Sequence, residues 1–191
     1  MYHIHLTKAF IIDTIETKDD DMSLLILSED LGLAWVYAYG LRKEKSKLRY
    51  TLRKGAHVEC ALVRGKAGWQ VVNALLLDEK PLSLEEHELL QRLHGVIKRL
   101  VPREDDLGGY EQYKDMKHAV QNQEYVQNVK QSALYLGVLN ILNLVGYGIQ
   151  YDMERTKDIF YDFSEKNLSF VLQNQLRVNK DVAEALYSSQ L

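Results

Sequence analysis

The sequence is short of cysteine, proline and long apolar runs, and each shortage excludes a class of protein. A single Cys among 191 residues excludes an intramolecular disulfide framework and a zinc site built on several thiolates. Two Pro and eleven Gly are too few for a fibrous or low-complexity chain. No run approaches the ~18 consecutive apolar residues of a membrane span. The start, MYHIHLTKAF, has no basic region followed by an apolar one, so we expect no signal peptide and a soluble, cytoplasmic protein.

Charge is strongly segregated along the chain, although the net charge is only −3. Residues 1–40 carry a net −5, residues 41–66 a net +7 and residues 67–191 a net −5. A basic segment inside an acidic chain is typical of a protein that binds a polyanion. It is equally typical of a solvated loop whose lysines keep the protein soluble, so charge alone leaves both interpretations open.

The first part of the chain has the pattern of β-strands. Five short segments that are apolar or alternating are separated by turn residues, and they cover residues 8–15, 22–27, 33–39, 56–63 and 69–77. The stretch GKAG at residues 65–68 predicts a hairpin turn between the last two. Five short strands in so few residues predict a small closed or partly closed barrel, and the five-stranded OB-fold is the candidate that this pattern favours.

Before Ser83 the spacing of apolar residues changes from every second residue, as in a strand, to about 3.6 residues per turn, as in a helix. Ser83 and Glu86 form the capping box S-x-x-E, and apolar residues follow at helical spacing until Pro102. Further helices are predicted at residues 111–126, 132–145, 164–176 and 181–187, with Asn179 available to cap the last of them. The predicted fold class is therefore α+β, with an OB-fold domain at residues 1–80 and an all-helical domain at residues 81–191.

Three aromatic residues of one parity, Trp35, Tyr37 and Tyr39, lie on the third predicted strand. Alternation places all three on one face. OB-folds hold single strands by stacking bases on such a face, at ~1–3 kcal/mol for each base. For Trp35 we favour burial in the barrel core or against the helical domain, since a Trp usually goes where it can bury area. The two tyrosines stay candidates because their strand leads directly into the basic segment.

The sequence offers no candidate active site. His3 and His5 share a strand face but lack the third protein ligand of a catalytic metal site, and the other histidines are scattered. Cys60 lies within the apolar stretch VECALV, which favours a buried structural thiol over a nucleophile. The chain lacks GxxxxGK[ST], GxGxxG, GxSxG and HExxH. We therefore expect no catalytic activity, no metal and no cofactor.

The middle of the β region, Met22–Gly55, resembles the N-terminal domain of RecO, the bacterial recombination mediator. It has an apolar strand, a turn ending in Gly32, a strand closing on Gly40, a basic cluster containing Ser46 and then a Leu-containing segment, in the order of that family. The stretches AFIIDT and GWQVVNALLL sit where the family has its first and last barrel strands. Further on, ILNLVGYGIQYD is similar to the segment that precedes the zinc module of the family's helical domain.

The resemblance implies an OB-fold followed by a helical domain, binding and annealing of single-stranded DNA, and work beside RecR and the single-stranded-DNA-binding protein. Many RecO proteins also carry a four-cysteine zinc module after the Gly-Tyr segment. No Cys follows Cys60 here, so the chain resembles a short variant without that module.

The sequence thus leads to the hypothesis of a RecO-type DNA repair and recombination mediator without catalytic activity. Bases would stack on Tyr37 and Tyr39, and phosphates would contact seven cationic side chains: Arg42, Lys43, Lys45, Lys47, Arg49, Arg53 and Lys54. Two alternatives stay open. One is an OB-fold RNA-binding protein, because backbone contacts and stacking do not distinguish the sugars. The other is a protein-interaction adapter whose basic loop binds an acidic peptide and whose apolar helix at 132–145 lines a groove.

Overall fold

The first five strands close into a barrel. The computed structural model describes residues 3–78, 82–103, 109–157 and 160–188. The strands are β1 (Ile4–Glu16), β2 (Met22–Ser28), β3 (Gly32–Ala38), β4 (His57–Gly65) and β5 (Gly68–Leu76), and they close in the order β1-β2-β3-β5-β4. All neighbouring pairs are antiparallel except β3 and β5. The predicted barrel and its hairpin turn between Gly65 and Gly68 are confirmed.

Strand β1 reaches both of its neighbours because it is long and irregular. Its first half pairs with β4 from Ile4 to Phe10, and its second half pairs with β2 from Ala9 to Glu16. A register shift between Ile11 and Asp13 redirects the strand, as β-bulges do where a barrel must close. The strand is therefore longer than the segment at residues 8–15 that its β-branched and aromatic residues predicted.

Inward-facing residues of alternating parity fill the barrel. They are small or branched, which suits a five-stranded interior, and include Ala9, Ile11, Leu24, Ile26, Ala34, Val36, Val58, Cys60 and Leu62, all at most 1% exposed. Burying each of the larger aliphatic side chains contributes ~1.5–3 kcal/mol. This packing fixes which side chains of each strand point outward, and so determines what the barrel can present to a ligand.

Helices follow the barrel, as the sequence predicted. They are α1 (Leu84–Leu100), α2 (Gly109–Gln121), α3 (Gln127–Leu144), α4 (Glu165–Gln173) and α5 (Gln175–Ser188). Helix α1 begins at the predicted capping box, in which Ser83 accepts from the Glu86 amide and Glu86 accepts from the Ser83 amide. Helix α3 packs against α1, α4 and α5. In the part of the chain that the structure describes, no helix is long and apolar enough to cross a membrane.

The chain divides into two compact units. The first contains Met1–Pro81 together with Arg103–Tyr110, and the second contains Leu82–Pro102 together with Glu111–Leu191. Residues Arg103 and Tyr110 therefore group with the barrel, although the sequence pattern places them after its last strand. That residues 1–80 and 81–191 each fold as a domain stays a prediction.

Several helix boundaries differ from the sequence expectation. Helix α2 ends at Gln121 rather than at residue 126, and α3 begins five residues before residue 132. Helix α5 begins at Gln175, so Asn179 lies inside it and the proposed Asn179 cap is wrong. Only Asn174 separates α4 from α5. Apolar periodicity locates the centre of an amphipathic helix better than its ends, which depend on local backbone partners.

A short hairpin that the sequence did not predict joins α3 to α4. Its strands are β6 (Arg155–Lys157) and β7 (Phe160–Tyr161). The fully buried Asn140 of α3 accepts from the Tyr161 amide at 2.8 Å and donates to the Tyr161 carbonyl at 2.9 Å. Asn167 of α4 donates to the Glu154 carbonyl at 2.7 Å and accepts from its amide at 3.0 Å. Two buried amide side chains thus hold the segment that follows the Gly-Tyr sequence.

Candidate nucleic-acid interface

The outward face of β3 presents the aromatic residues that alternation predicted. Ala34, Val36 and Ala38 are buried inside the barrel, so the residues between them face outward. The rings of Tyr37 and Tyr39 are nearly parallel, with an interplanar angle of 18° and centroids 6.3 Å apart. Tyr37 is half-buried, whereas Tyr39 is 58% exposed. The pair forms an accessible aromatic surface at the end of the strand.

Trp35 does not enter the barrel core. It lies one step further along the same outward face, half-buried, with the Arg103 guanidinium 5.7 Å from its ring centroid. Arg103 reaches this position because its backbone bridges to Leu33 in β3. The cation covers one face of the indole ring, and a cation held over a Trp ring is itself favourable. Trp35 is therefore less accessible to a base than Tyr39.

The chain turns sharply after Tyr39 and enters the basic loop, residues 41–56. Gly40 adopts φ +61°, a left-handed conformation that glycine accepts without strain, and its amide donates to Asp21 Oδ1 at 2.7 Å. The Arg42 amide donates to the Asp20 carbonyl at 2.9 Å. These two bonds fasten the start of the basic loop to the turn between β1 and β2.

Apolar residues within the basic loop hold it against the barrel. Leu41 and Leu52 are 3% exposed and belong to the barrel core, and Leu48 packs against that core from a 3₁₀ turn at Lys47–Tyr50. Five of the seven cationic residues lie between these leucines in the sequence, and Arg53 and Lys54 directly follow Leu52. Burial of the leucines therefore directs the charged side chains toward solvent, and the basic loop has a defined outer surface.

The seven predicted phosphate-binding cations separate into two groups. Arg42 forms an ion pair with Glu16 at 2.8 Å, and Lys54 forms one with Asp13 at 3.2 Å. The other five are exposed and have no acidic partner among the described residues; they are Lys43, Lys45, Lys47, Arg49 and Arg53. Both ion pairs join the basic loop to β1, so Arg42 and Lys54 have a structural role that the charge pattern did not reveal.

Two of the unpaired lysines and the exposed Tyr39 meet at one depression. Tyr39, Gly40, Lys43, Lys45 and Ser46 line it together with Asp21, and its volume is about 540 Å³. The Lys43 side chain passes close to Gly40, since its Cδ would lie 3.3 Å from a Cβ placed there. The depression brings an aromatic face and two ammonium groups together, which is the combination that single-stranded nucleic acid requires.

Residues considered for metal binding or nucleophilic chemistry lie apart from this surface. Cys60 is fully buried in β4, and burial, reinforced by the Glu59 carboxylate, raises the pKa of its thiol to about 12. His3 is exposed, whereas His5 is half-buried, with its Nε2 3.6 Å from Asp30 Oδ2. Among the described residues, no group of three His, Cys, Asp or Glu side chains is placed to hold a metal ion.

His57 has a role that sequence reasoning missed. Its ring stacks on Phe10 with centroids 4.1 Å apart, and its Nε2 lies 2.8 Å from the Tyr110 hydroxyl. Its backbone amide donates to Asp78 Oδ2 at 2.9 Å. These contacts explain why Tyr110 groups with the barrel. The long sequence separation between His57 and Tyr110 left no local signal from which the contact was predictable.

Comparison with known proteins supports the resemblance noted from the sequence. No protein-family model matches the chain. The chain is 36% identical over 87 residues to the "DNA repair protein RecO" of Dehalococcoides mccartyi strain CBDB1, and 34% identical over 87 residues to that of strain ATCC BAA-2266. Each match covers 43% of this chain and 34% of the relative. The resemblance to the RecO family is thus confirmed, and the chain matches about a third of the length of these curated relatives.

Proposed function

We propose that the protein is a RecO-type DNA repair and recombination mediator that binds single-stranded DNA and anneals complementary strands. The observation that carries the proposal is the depression where the exposed, unpaired Lys43 and Lys45 meet Tyr39, one of two stacked tyrosines, beside a basic loop that carries three further exposed cations. Part of the chain is also similar in sequence to RecO. Cations alone suit any polyanion, and an aromatic pair alone suits many ligands. Together they match the backbone and the bases of one extended strand.

In this proposal the phosphates lie along the basic loop and the bases stack on the tyrosines. Lys43 and Lys45 flank the depression beside Tyr39, so a phosphate bound there places its base within reach of the Tyr39 ring. A base held between two rings needs a separation of ~6.8 Å, twice the ~3.4 Å rise per base. The rings of Tyr37 and Tyr39 are 6.3 Å apart between centroids, so a base enters between them only after a small rotation. The outer face of Tyr39 is available without any movement.

Annealing needs no covalent chemistry from the protein. Two strands of DNA repel each other through their phosphates, and neutralising one backbone lowers that repulsion. A base stacked on Tyr39 keeps its hydrogen-bonding edge free, because stacking uses only the face of the ring. The residues proposed here therefore act by binding and positioning alone. By the same resemblance, RecR and the single-stranded-DNA-binding protein are the proposed protein partners.

The test first compares how well different ligands compete for the protein, and then measures whether removing the Tyr39 ring lowers the affinity for single-stranded DNA. Labelled single-stranded DNA is challenged with unlabelled DNA duplex, RNA and an acidic peptide at fixed salt, and annealing of complementary strands is followed by energy transfer. We expect Tyr39→Ala to lower single-strand affinity by ~1–3 kcal/mol and to slow annealing. Tyr187→Ala is the matched control, since Tyr187 is a 79% exposed tyrosine on α5.

Two results decide against the proposal. If the acidic peptide displaces DNA while no oligonucleotide displaces the peptide, the protein is an adapter. If RNA competes at least as well as DNA and complementary DNA strands do not anneal faster with the protein, it is an RNA-binding protein. Equal DNA affinities for Tyr39→Ala and Tyr187→Ala remove the tyrosines from the site.

A further inference from the structure

A second groove lies on the outward face of the barrel, away from the basic loop. Its floor is made by apolar side chains of three strands, Ile4 of β1, Val63 of β4 and Val72 of β5, and its volume is about 780 Å³. Ile4 is 56% exposed and Val72 is 49% exposed, although both are aliphatic. Apolar side chains grouped in an open groove are typical of a ligand or partner site.

The strand register makes this groove continuous with the tyrosine pair. Ile4 pairs with Val63, Val63 pairs with Gln70, and Gln70 pairs with Tyr37. Directly paired residues on neighbouring strands point to the same face of a sheet. These four side chains therefore form one row across the outside of the barrel. A Cβ placed on Gly68, at the end of the β4–β5 turn, would lie 3.8 Å from Tyr37 Cε2.

Two cations stand at the rim of the groove. Arg64 and Lys66, on and beside the β4–β5 turn, are exposed and have no acidic partner among the described residues. The Arg64 guanidinium lies 5.2 Å from the Trp69 ring centroid, which holds it at the rim. Among the residues that the structure describes, no Asp or Glu lines the groove. Its electrostatic character therefore matches that of the basic loop at the other side of the tyrosines.

We propose that the groove is a second subsite for the same single strand of DNA. The strand leaves the Tyr37–Tyr39 pair, crosses Gln70 and lays its bases on the apolar floor, while its phosphates contact Arg64 and Lys66. This inference rests on the proposed function. The continuous row through Gln70 and the matching sign of charge at both ends favour the DNA strand as occupant over a second copy of the chain or a peptide.

The dimensions indicate how much DNA this adds. Neighbouring strands lie ~4.8 Å apart, so Tyr37 and Val63 are separated by two steps, or roughly 10 Å. That distance corresponds to about three nucleotides at the ~3.4 Å spacing of stacked bases, and to fewer in an extended strand. Oligonucleotides that fill only the basic loop and the tyrosine pair should not reach the groove, whereas longer ones should.

The experiment measures affinity against oligonucleotide length with the full chain. Oligo(dT) of about five and about fifteen nucleotides are titrated against the parent, Arg64→Ala/Lys66→Ala, and the control Arg92→Ala/Arg99→Ala. The control removes two exposed cations of α1 that have no described acidic partner, so both variants lose the same charge. We expect the groove variant to bind the longer oligonucleotide roughly three- to tenfold more weakly, with a salt slope lower by ~1.4, and the shorter one unchanged.

Each other outcome overturns the inference in a recognisable way. If the groove variant binds each oligonucleotide as tightly as the control variant does, the strand does not enter the groove. The proposed function then stands without the second subsite. Equal weakening at both lengths makes Arg64 and Lys66 part of a general positive field. A parent that binds neither length removes the proposed function together with the subsite.

A second pair of variants tests the apolar floor. Val72→Glu places a carboxylate in the groove, and Leu75→Glu makes the same change at a 63% exposed position of β5 outside it. We expect only Val72→Glu to weaken the longer oligonucleotide selectively, with equal melting temperatures for both. If sedimentation shows a dimeric parent that Val72→Glu makes monomeric, or if a peptide competes for the groove, its occupant is protein and the inference is wrong.

Discussion

Replacing the three unpaired lysines of the basic loop gives the sharpest test of the proposed DNA contacts. Lys43, Lys45 and Lys47 are exposed and have no described acidic partner, so their removal breaks no ion pair. Each phosphate neutralised on a single strand contributes ~0.7 to the slope of log affinity against log salt. The five unpaired cations of the basic loop therefore set a slope of up to about −3.5, and Lys43→Ala/Lys45→Ala/Lys47→Ala should reduce its magnitude by ~2.

A matched variant comes from the two paired cations of the same loop. Arg42 and Lys54 are held by Glu16 and Asp13, and their charge is already partly neutralised. Arg42→Ala/Lys54→Ala should therefore change the salt slope less than the triple lysine variant changes it. It should also lower stability by about 0.2–1 kcal/mol for each lost pair, whereas the triple variant should leave the melting temperature nearly unchanged.

The assay is fluorescence anisotropy with labelled oligo(dT) over a series of salt concentrations, with thermal melts of each variant. A triple lysine variant that keeps the affinity and the salt slope of the parent would show that these lysines do not contact the DNA. A larger loss of salt slope in Arg42→Ala/Lys54→Ala than in the triple lysine variant would show that the ion pairs with Glu16 and Asp13 do not keep Arg42 and Lys54 from the DNA.

Three further predictions concern stability and metal content. Burial opposes ionisation of Glu86, but hydrogen bonds from Lys130, at 2.6 Å, and Ser83 outweigh it and lower the pKa of the carboxyl. Because this pKa is lower in the folded state, the stabilisation is present above the unfolded pKa and is lost as pH falls through the folded one. Urea melts should show Glu86→Gln roughly 1–3 kcal/mol less stable than the parent at pH 7 and nearly equal at acid pH; a gap that persists in acid would contradict this. Asn140→Ala leaves the buried amide and carbonyl of Tyr161 unpaired and should cost roughly 2–4 kcal/mol in the same assay, so a loss well below 1 kcal/mol would show that the hairpin does not depend on Asn140. A chelator should leave the melting temperature unchanged, and elemental analysis that finds one zinc per chain would show this expectation to be wrong.

Local patterns in the sequence were sufficient to predict the strands of the barrel and the start of α1. Alternation in β3 correctly separated Val36, inside the barrel, from Tyr37, outside it. Ser83 and Glu86 fixed the start of α1, because a capping box is formed by residues three positions apart. Signals of this kind are carried by neighbouring residues and are readable without knowledge of the fold.

Contacts between residues that are distant in the sequence could not be predicted from such local patterns. The charge run gave no sign that Arg42 and Lys54 are paired with β1 while Lys43 between them is unpaired. The β6–β7 hairpin has only five strand residues, and it is held by Asn140 and Asn167 from two different helices. Asn179 was misjudged because α5 follows α4 after a single residue, which shifts its start away from the position that the weak period indicated.

The buried thiol of Cys60 makes the protein convenient for site-specific labelling. Burial raises the pKa of this thiol to about 12, so the reactive thiolate does not form near pH 7, and the side chain is also inaccessible to reagents in the folded barrel. A maleimide dye should therefore leave the native protein unmodified. A cysteine introduced at an exposed position such as Lys47 or Lys66 would be the single reactive thiol, so a fluorophore can report on either end of the proposed DNA path without first removing a native residue.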